Sequence, residues 1–492
     1  MSDAAKGLTV LSKKQYEEHL PTLRAELIQA QSELRDSGVS VVIIISGVDG
    51  AGKGEVVHRL SEWLDPRGID TQAFWQLSDE EKERPPFWRF WKILPARGRI
   101  TILVGSWYTE PIVARVYNRM SAQAYDAALR RIVRFEQMLA QDGTLILKVA
   151  LHLSKKDQRK RLKDLEQNPN THWRVLPSDW THHKLYDSFT DAAHRSIEQT
   201  STPIAPWLTI DANDRRYRDF AVGSTLLECL RKRLNHSTPA TRVEASARYV
   251  GLKKGQASIL GTVDLTQTLS GARYRKQLAK YQAKLNRLIW AASERRIASV
   301  ILFEGWDAAG KGSCIRRITE AMDPRLYRLI PVAAPTDEER VHHYLWRFWR
   351  HIPRAGRMTL FDRSWYGRVL VERVERFATR AEWTRAYSEI RDFESQLADH
   401  GIVLAKFWIH ISKEEQLQRF KRREEVSYKR HKITSEDWRN RRKWPAYETA
   451  VNDMVAETSI ATSPWTLVAG NDKKFARIQI LKSVCQRLEA AL

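Results

Sequence analysis

The residues best placed to do chemistry lie in a glycine-rich segment, GWDAAGKG, at 305–312. It follows a short apolar run and precedes a helical pattern, which is the strand–loop–helix context of a phosphate-binding loop. In such a loop, backbone N–H groups and the positive end of the helix hold phosphate oxygens. We expect Gly305, Gly310 and Gly312 to form this cradle, and Lys311 to place its charge on the transferred phosphoryl group.

The segment departs from the usual pattern at two positions. The residue after the lysine is Gly312, where a Ser or Thr would normally bind Mg²⁺. An aspartate, Asp307, lies between the glycines, where it would repel phosphate unless it met a metal ion or an incoming acceptor. We therefore expect Asp307 to bind Mg²⁺ or to orient the acceptor; a carboxylate that points into solvent is the simpler alternative.

A second acidic residue ends a later apolar run. P-loop enzymes hold their metal with such a carboxylate, usually at the end of a neighbouring strand. The run at 358–361 leads into Asp362, and Arg363 and Arg368 follow closely. We expect Asp362 to bind Mg²⁺, or Mn²⁺ as the alternative ion, directly or through water. The two arginines would hold phosphoryl oxygens, an effect worth roughly 10³–10⁵ in rate.

A related segment, GVDGAGKG, occurs earlier in the chain at 47–54. It supplies Gly47, Asp49, Gly52 and Lys53 at the positions of the loop just described. The first copy of the phosphate cradle is therefore recognisable from its sequence alone.

The two segments belong to a long internal repeat. Lys53 and Lys311 are 258 positions apart, and the same offset holds without a gap across most of each half. A single register over roughly 200 residues indicates a duplicated domain and not a short structural repeat. We predict a first domain at 1–235, a linker rich in Ser, Thr, Pro, Gly and Lys at 236–262, and a second domain at 263–492.

The first copy lacks several of the candidate catalytic residues. The replacements are Val104 for Asp362, Gly105 for Arg363, Glu110 for Arg368, Ala114 for Glu372 and Asp219 for Arg477. Losing the metal carboxylate together with phosphate-binding arginines is hard to reconcile with catalysis. We therefore predict that the first copy is catalytically degenerate and binds anions or stabilises the pair, while the second copy carries the reaction.

Strand-like and helical patterns alternate in each copy. In the second, short strands are predicted at 299–303, 329–332, 358–361, 402–409 and 465–468, with helices between them. This alternation predicts an α/β fold with a parallel sheet covered by helices on both faces. A polar, Arg/Lys-rich helical segment at 412–460 would fold over an anionic substrate as a lid.

The net charge of +23 and the isoelectric point near 9.9 indicate a polyanionic partner or substrate. Nucleic acid, a phosphate polymer and an acidic membrane all fit that charge. The three cysteines are far apart, which favours free thiols in a reducing compartment. Residues 1–30 show no signal-peptide pattern, and no apolar run reaches the roughly 18 residues that a membrane span needs. We expect a cytoplasmic protein without a membrane partner.

With these motifs in place, the sequence resembles the second polyphosphate kinase family, and in particular its duplicated members. The motifs that carry the resemblance are GWDAAGKG at 305–312, FDRSWYGR at 361–368, SKEEQLQRF at 412–420, KITSEDW at 432–438, SPW at 463–465 and NDKKFAR at 471–477. The resemblance covers nearly the whole chain. It implies a three-layer α/β/α P-loop fold similar to thymidylate kinase, and Mg²⁺-dependent phosphate transfer between inorganic polyphosphate and a nucleotide.

The resemblance also implies roles for individual residues. Asp307, Lys311, Asp362 and Arg363 become the catalytic set. The implied polyphosphate contacts are Arg368, Arg419, Arg422, Arg423, Lys432 and Lys473. Duplicated members are similar to polyphosphate:AMP phosphotransferases, which make ADP from AMP.

Two other functions stay open at this point. One is the same chemistry with ADP as acceptor, which gives ATP, because the sequence defines the phosphate chemistry better than the acceptor. The other is a nucleic-acid-binding P-loop ATPase, but no nucleic-acid-binding motif accompanies the charge. Trp346 and Trp349 could stack on bases, although their helical spacing favours packing in the core. Homo-oligomerisation stays open as well.

Overall fold

The computed structural model describes residues 10–74, 76–235, 258–426 and 433–492. The chain forms two compact units, each built mainly from one copy. Two short segments are exceptions. Residues 77–88, from the first copy, belong to the second unit, and residues 337–343, from the second copy, belong to the first unit.

Most of the predicted linker lies outside the described residues. Its last part is a 3₁₀ turn, Leu260–Thr262, in the second unit. Leu260 is buried, and its backbone N–H donates to Asn452 Oδ1 at 3.1 Å. Residues 258–262 therefore pack as part of the second unit, which includes residues before the predicted boundary at 263.

The first copy folds around a five-stranded sheet. Its strands are β1 (Val41–Gly47), β2 (Ile69–Ala73), β3 (Ile100–Val104), β4 (Leu145–His152) and β5 (Trp207–Asp211). They lie in the order β2-β3-β1-β4-β5, and every pairing is parallel. The helices of this copy are α1 (Lys13–Arg35), α2 (Lys53–Trp63), α3 (Asp79–Lys82), α4 (Trp88–Trp91), α5 (Thr109–Val116), α6 (Ala122–Gln141), α7 (Lys155–Gln167), α8 (Pro177–Lys184), α9 (Tyr186–Thr200) and α10 (Arg215–Asn235).

The second copy repeats this topology. Its strands are β6 (Ser299–Gly305), β7 (Tyr327–Pro331), β8 (Met358–Asp362), β9 (Val403–His410) and β10 (Trp465–Ala469). They lie in the order β7-β8-β6-β9-β10, again all parallel. Its helices are α11 (Gly271–Glu294), α12 (Lys311–Thr319), α13 (Asp337–Arg340), α14 (Trp346–Trp349), α15 (Val371–Val374), α16 (Arg380–Asp399), α17 (Lys413–Glu425), α18 (Ser435–Arg442), α19 (Trp444–Thr458) and α20 (Lys473–Ala491).

Two groups of helices cover each sheet. In the second copy, α11, α12 and α20 pack together against the strands, and α16 packs with α19 as well as with β9. The central strand β6 is buried along nearly its whole length, as expected for a parallel strand covered on both faces. The predicted α/β fold with a three-layer arrangement is confirmed.

A buried ion pair recurs in both copies. Lys406 Nζ lies 2.7 Å from Glu394 Oε2, and the Tyr366 hydroxyl donates to the other oxygen of Glu394 at 2.6 Å. In the first copy, Lys148 and Glu136 form the same pair at 2.6 Å. A buried charge is stable only when it is paired and hydrogen-bonded, so this network belongs to the architecture that the copies share.

Two other predictions meet different outcomes. Trp346 and Trp349 are buried, which confirms the core packing predicted for them. The segment at 412–460 is not a single lid element, because it contains α17, α18 and α19, and residues 427–432 lie outside the described part of the chain. Helix α19 is largely buried, so any lid is confined to the more polar α17 and α18.

Within the described residues, no helix combines the length and the apolar character that crossing a bilayer requires. Cys229, Cys314 and Cys485 are all unpaired, as predicted.

Candidate active site

The phosphate-binding loop of the second copy joins the end of β6 to the start of α12. A Cβ on Gly305 would lie 2.6 Å from the carbonyl oxygen of Ile409 on the neighbouring strand, so this position needs glycine. Gly310 adopts φ +112° directly before the helix, and Gly312 has open space beside it in the first helical turn. The three predicted glycines therefore form the loop in the expected strand–loop–helix context.

Lys311 lies inside this loop. Its ammonium donates to the carbonyl oxygens of Gly305 at 2.8 Å and Trp306 at 3.3 Å. Burial lowers the pKa of Lys311, and the nearby guanidinium of Arg363 lowers it further, against the opposing effect of Asp307. The charge of Lys311 is thus held in a confined position that faces the phosphate cradle.

Asp307 does not point into solvent. Its side chain is only 13% exposed, and Oδ1 lies 3.1 Å from a terminal nitrogen of Arg363. Asn440, on α18, donates to Oδ2 at 2.9 Å, and Gln416 donates to the Asp307 carbonyl oxygen at 3.1 Å. The solvated alternative is wrong: Arg363 and Asn440 hold the carboxylate, and Gln416 holds the backbone of the same residue.

Asp362 ends β8 next to the loop. It pairs in register with Phe303 of β6, and within the described residues its carboxylate has no hydrogen bond or ion pair. The negative charges of Asp307 and Asp362 both act to raise the pKa of Lys311, against the larger lowering effect of burial. Oxygen ligands are those that Mg²⁺ and Mn²⁺ prefer, so these two carboxylates fit a divalent ion.

A third acidic residue, Glu304, lies directly before the loop. It is 5% exposed and accepts a hydrogen bond from Ser364 Oγ at 2.8 Å. Burial raises the pKa of Glu304 to about 7, although the charge of Lys311 opposes this shift. At neutral pH this carboxyl is therefore near its titration point beside the phosphate loop.

Arg363 has an unusual backbone conformation. Its φ is +66°, a region that non-glycine residues rarely adopt. The equivalent residue of the first copy is Gly105, with φ +75°, so the strain is relieved where the arginine is absent. A strained residue held in place at a functional loop is a sign of a functional constraint.

An aromatic cluster connects the loop to the helices that follow α17. Trp306 stacks on Trp444, with ring centroids 3.6 Å apart and planes inclined by 8°. The Trp306 indole N–H donates to His410 Nδ1 at 3.0 Å. Because Trp444 is the first residue of α19 and follows α18 directly, this stack ties the loop to the helix that carries Asn440.

Two predicted phosphate contacts are engaged elsewhere. Arg368 pairs with Glu372 at 3.1 Å and lies over the ring of Tyr344. Arg419 is 2% exposed and directs all five of its N–H donors at protein oxygens. These acceptors are Glu415 and the backbone carbonyls of Ala308, Ala309, Gly470 and Asn471. The prediction for Arg419 is corrected: it braces the loop from behind and has no donor left for phosphate.

Three other basic residues predicted to contact phosphate lie at the ends of helices. Arg422 and Arg423 are in the last turn of α17, and Lys473 begins α20. Burial lowers the pKa of Lys473 to about 8, with a further contribution from the charge of Arg419. The predicted contact Lys432 lies outside the described residues.

A small pocket, about 70 Å³ in volume, opens beside the loop. It is lined by loop residues and by apolar and polar side chains from β9, the 3₁₀ turn after β8, and α15, α17, α18 and α19. These include Asp307, Arg363, Leu370, Gln416, Asn440 and Tyr447. The geometry thus combines a glycine-rich loop at a helix N-terminus, carboxylates suited to a metal ion, and a small adjoining pocket.

Comparison with known proteins identifies the family. The sequence model described as polyphosphate kinase 2 (PPK2) matches residues 10–238 and again residues 268–492. The chain belongs to the polyphosphate kinase 2 family. It is 48% identical to a polyphosphate:AMP phosphotransferase of Pseudomonas aeruginosa over 98% of this chain and 97% of that one. It is 38% identical to a protein of the same name from Acinetobacter johnsonii, over 95% and 96%.

The fold agrees with a solved member of the polyphosphate kinase 2 family. A crystal structure from P. aeruginosa described as polyphosphate kinase 2 superposes with a TM-score of 0.88 at 46% identity. The alignment covers 100% of this chain and 99% of the other. The duplicated two-sheet architecture is thus shared with this relative over its full length.

The loop of the first copy has its charges paired internally. Lys53 Nζ lies 3.1 Å from Asp49 Oδ1 and 2.7 Å from the Gly47 carbonyl oxygen, because Gly105 offers no guanidinium to Asp49. His182 Nδ1 lies 2.7 Å from Asp49 Oδ2. Although burial alone would raise the pKa of Asp49, the hydrogen bond from His182 and the charge of Lys53 hold it well below its usual range.

A second difference lies at the start of the loop helix. Glu55 occupies the first turn of α2, where the second copy has Ser313. Arg218 donates to Glu55 at 3.0 Å and to the carbonyl oxygen of Ala51. A carboxylate at this end of the helix opposes the positive field that would attract phosphate, which adds to the differences between the copies at Val104 and Gly105.

Sequence reasoning missed Glu304 and Asn440. Glu304 is an acidic residue that closes the apolar strand β6, and its counterpart in the first copy is Ser46. Asn440 corresponds to His182. A position-by-position comparison of the copies would have revealed both, because each change in residue type falls beside the loop.

Proposed function

We propose that this polyphosphate kinase 2 family member transfers the terminal phosphate of inorganic polyphosphate to AMP, giving ADP and a polyphosphate shortened by one unit. The P. aeruginosa and A. johnsonii relatives carry this activity in their names, and the similarity extends over almost their entire length. Because both copies are present in this chain and in those relatives, the likeness concerns the whole duplicated protein and not a shared domain alone.

We assign the reaction to the second copy. The observation that carries this assignment is the arrangement of Lys311, Asp307 and Arg363 around one loop, with Asp362 at the end of the adjoining strand. The first copy keeps the lysine and the loop aspartate but has Val104 and Gly105 in place of the other two.

The chemistry is the displacement of one phosphate oxygen by another. An oxygen of the AMP phosphate attacks the terminal phosphorus of polyphosphate, a new P–O bond forms, and the terminal P–O–P bond breaks to release the shortened chain. Lys311 and the loop N–H groups hold the transferred group, and Arg363 neutralises charge that develops on its oxygens. AMP is already ionised at its phosphate, so the step needs no protein base.

Asp307 and Asp362 would hold the divalent ion, which we propose to be Mg²⁺. When bound, such an ion supplies positive charge to the phosphate oxygens during transfer. Asn440 and Gln416 orient Asp307 by hydrogen bonds to its side chain and its backbone. Arg419 keeps the loop in shape through its contacts with the loop carbonyls.

The net charge of the chain fits a phosphate polymer. Arg422 and Arg423 lie in the last turn of α17, and Lys473 begins α20. With the other basic residues they would attract a polyanion whose affinity should fall with salt. The cytoplasmic location and the oligomeric state stay predictions.

The test uses the purified full-length chain with Mg²⁺, AMP and polyphosphate, without ATP, and separates the nucleotides by anion-exchange chromatography. We expect ADP to form only when both AMP and polyphosphate are present. A Lys311→Ala protein prepared in parallel excludes a contaminating kinase. Absence of ADP with both Mg²⁺ and Mn²⁺ would refute the proposal, and faster conversion of ADP to ATP than of AMP to ADP would establish the alternative acceptor.

A further inference from the structure

A cluster of potential metal ligands lies beside the degenerate loop of the first copy. One ligand atom from each of Asp49, Asp179 and His182 lies within 4.8 Å of the other two. Asp49 belongs to the loop itself, and the other two residues are on α8. Asp49 and His182 are each about 30% exposed, so an ion could reach them from solvent.

The equivalent aspartate of the second copy, Asp307, has different partners. There, Arg363 lies opposite Asp307, and Asn440 donates to the same carboxylate. The first copy has glycine in place of that arginine, so Asp49 has no guanidinium partner; one of its oxygens, Oδ1, lies 3.1 Å from Lys53 Nζ instead. A histidine has replaced Asn440, and unlike the amide nitrogen of Asn, an imidazole nitrogen can donate a lone pair to a metal ion.

We infer that Asp49, Asp179 and His182 form a binding site for a divalent transition-metal ion of the zinc class. Two carboxylates and one imidazole, completed by water, are a donor set that Zn²⁺ accepts in tetrahedral geometry. Mg²⁺ prefers oxygen ligands alone, so the histidine distinguishes this site from the one proposed at Asp307 and Asp362.

The geometry permits closure around an ion. Tetrahedral ligands of Zn²⁺ lie roughly 3.4 Å from one another, given metal–ligand distances of about 2.0–2.2 Å. The hydrogen-bonded pair of His182 and Asp49 would open slightly from 2.7 Å. Asp179, within 4.8 Å of both, would approach by at most about 1.4 Å, which side-chain rotation can supply. One oxygen of Asp179 accepts from the Leu176 backbone N–H, and the other stays available to the ion.

An ion here would fasten α8 to the loop of the first copy. Asp179 and His182 lie on one face of that helix at i and i+3 spacing, and Asp49 comes from the loop after β1. The site goes beyond the proposed phosphate transfer, because it makes the degenerate copy a metal-bound structural element.

The experiment exploits the internal repeat. His182→Asn and His183→Arg each install the residue that the second copy has at the same position, Asn440 and Arg441. His183 is a matched control because it is adjacent but contacts Gln158 Oε1 instead of the cluster. All variants keep Asp307 and Asp362, so any zinc bound in the second copy contributes equally to each protein.

Full-length proteins are stripped with EDTA, titrated with Zn²⁺ by calorimetry, and assayed for bound zinc by mass spectrometry after dialysis. We expect the wild type and His183→Arg to bind one more equivalent than His182→Asn, or to bind it at least about 100-fold more tightly. Co²⁺ substitution should give d–d absorption bands that the His182→Asn protein lacks.

Equal zinc content in the wild type and His182→Asn would overturn the inference and leave a hydrogen-bonded Lys–Asp–His cluster. If His182→Asn fails to fold, Asp179→Asn serves as the second variant, since Asn can still accept the helix-capping hydrogen bond. Undiminished zinc binding by that protein would refute the site equally.

Discussion

The two copies have the same sheet order and the same phosphate loop, but they treat the aspartate of that loop differently. In the second copy, Asp307 lies between Arg363 and Asn440, and the hydrogen bonds of Lys311 within the described residues go to backbone carbonyls of the loop. In the first copy, the lysine itself pairs with Asp49. Because the charge of Lys53 is already paired with the carboxylate of Asp49, this lysine would bind a phosphate less strongly than Lys311.

The comparison predicts which residues build the fold and which serve the proposed reaction. The buried pair Lys406–Glu394 has an equally buried counterpart in Lys148–Glu136, so it is required by the architecture. Glu304, Asp362, Arg363 and Asn440 have no chemically similar counterpart. Five experiments test this division, and each exchanges or removes equivalent residues.

The largest effect is expected from Arg363→Gly, which gives the second copy the residue of the first. ADP formation should fall by roughly 10³–10⁵ because a positive side chain beside Asp307 is lost. The same protein should be more stable by about 1 kcal/mol, because glycine adopts the positive φ of this position without strain. Steady-state assays and thermal melting measure both changes. Full activity in the variant would remove Arg363 from the catalytic set.

The next effect concerns the two loop lysines. Lys311→Ala should reduce the rate by about 10³-fold because it removes the charge that holds the transferred group. Lys53→Ala, the matched change in the first copy, should leave the rate within about twofold of the wild type if that copy is silent. Equal losses in two proteins with native circular dichroism would show that both copies take part in the reaction.

A shared element should behave alike in both copies. Lys406→Met and Lys148→Met each leave a buried glutamate without its partner, and each should lower the free energy of unfolding by about 3–5 kcal/mol. Urea denaturation followed by tryptophan fluorescence measures the loss. If one substitution left the free energy of unfolding unchanged, the two networks would contribute differently to the fold, and the expected equivalence would be wrong.

The carboxyl of Glu304 should make stability depend on pH. Its pKa rises from 4.5 to about 7 on folding, so the folded protein keeps a proton that the unfolded chain loses above pH 4.5. The stabilising contribution is complete below pH 4.5 and disappears as pH rises through 7, a change on the order of 3 kcal/mol.

Glu304→Ser, which copies Ser46, should remove that dependence. Urea unfolding of both proteins in EDTA, at several values between pH 4.5 and 8, measures the difference. Parallel pH profiles for the two proteins would contradict the assigned shift.

The smallest effect is expected from Asn440→His. The imidazole would pair with Asp307 as His182 pairs with Asp49 and draw the carboxylate away from Arg363, which should reduce kcat about tenfold through misplacement of the reacting groups. His182→Asn should leave kcat unchanged. An unaltered rate in Asn440→His would mean that the orientation of Asp307 does not depend on this hydrogen bond.

The phosphate loop and the acid at the end of β8 could be predicted because both depend on contiguous sequence. A loop of this composition between a strand and a helix has few alternative conformations, so the places of Gly305, Gly310 and Lys311 followed directly. The neighbouring position of Asp362 followed from the pattern that P-loop enzymes hold their metal with a carboxylate at the end of a neighbouring strand. These predictions needed no knowledge of distant contacts.

The partners of the arginines could not be predicted in the same way. Arg419 was assigned to phosphate by its charge and its motif, but its guanidinium is used by carbonyls of the loop and of the turn after β10. Arg368 pairs with Glu372 and lies over the ring of Tyr344. Long side chains choose among several acceptors that only the tertiary structure brings within reach, and residue type alone does not rank them.

The positive φ of Arg363 also has an evolutionary consequence. If selection for turnover in one copy relaxed after duplication, backbone energetics would favour a glycine at this position there. Return is much harder, since an arginine at Gly105 would restore the strain but gain nothing without an acid at Val104 and release of Asp49 from His182. Under this hypothesis, one substitution is enough for the first copy to diverge at this position, whereas reversal requires several simultaneous substitutions.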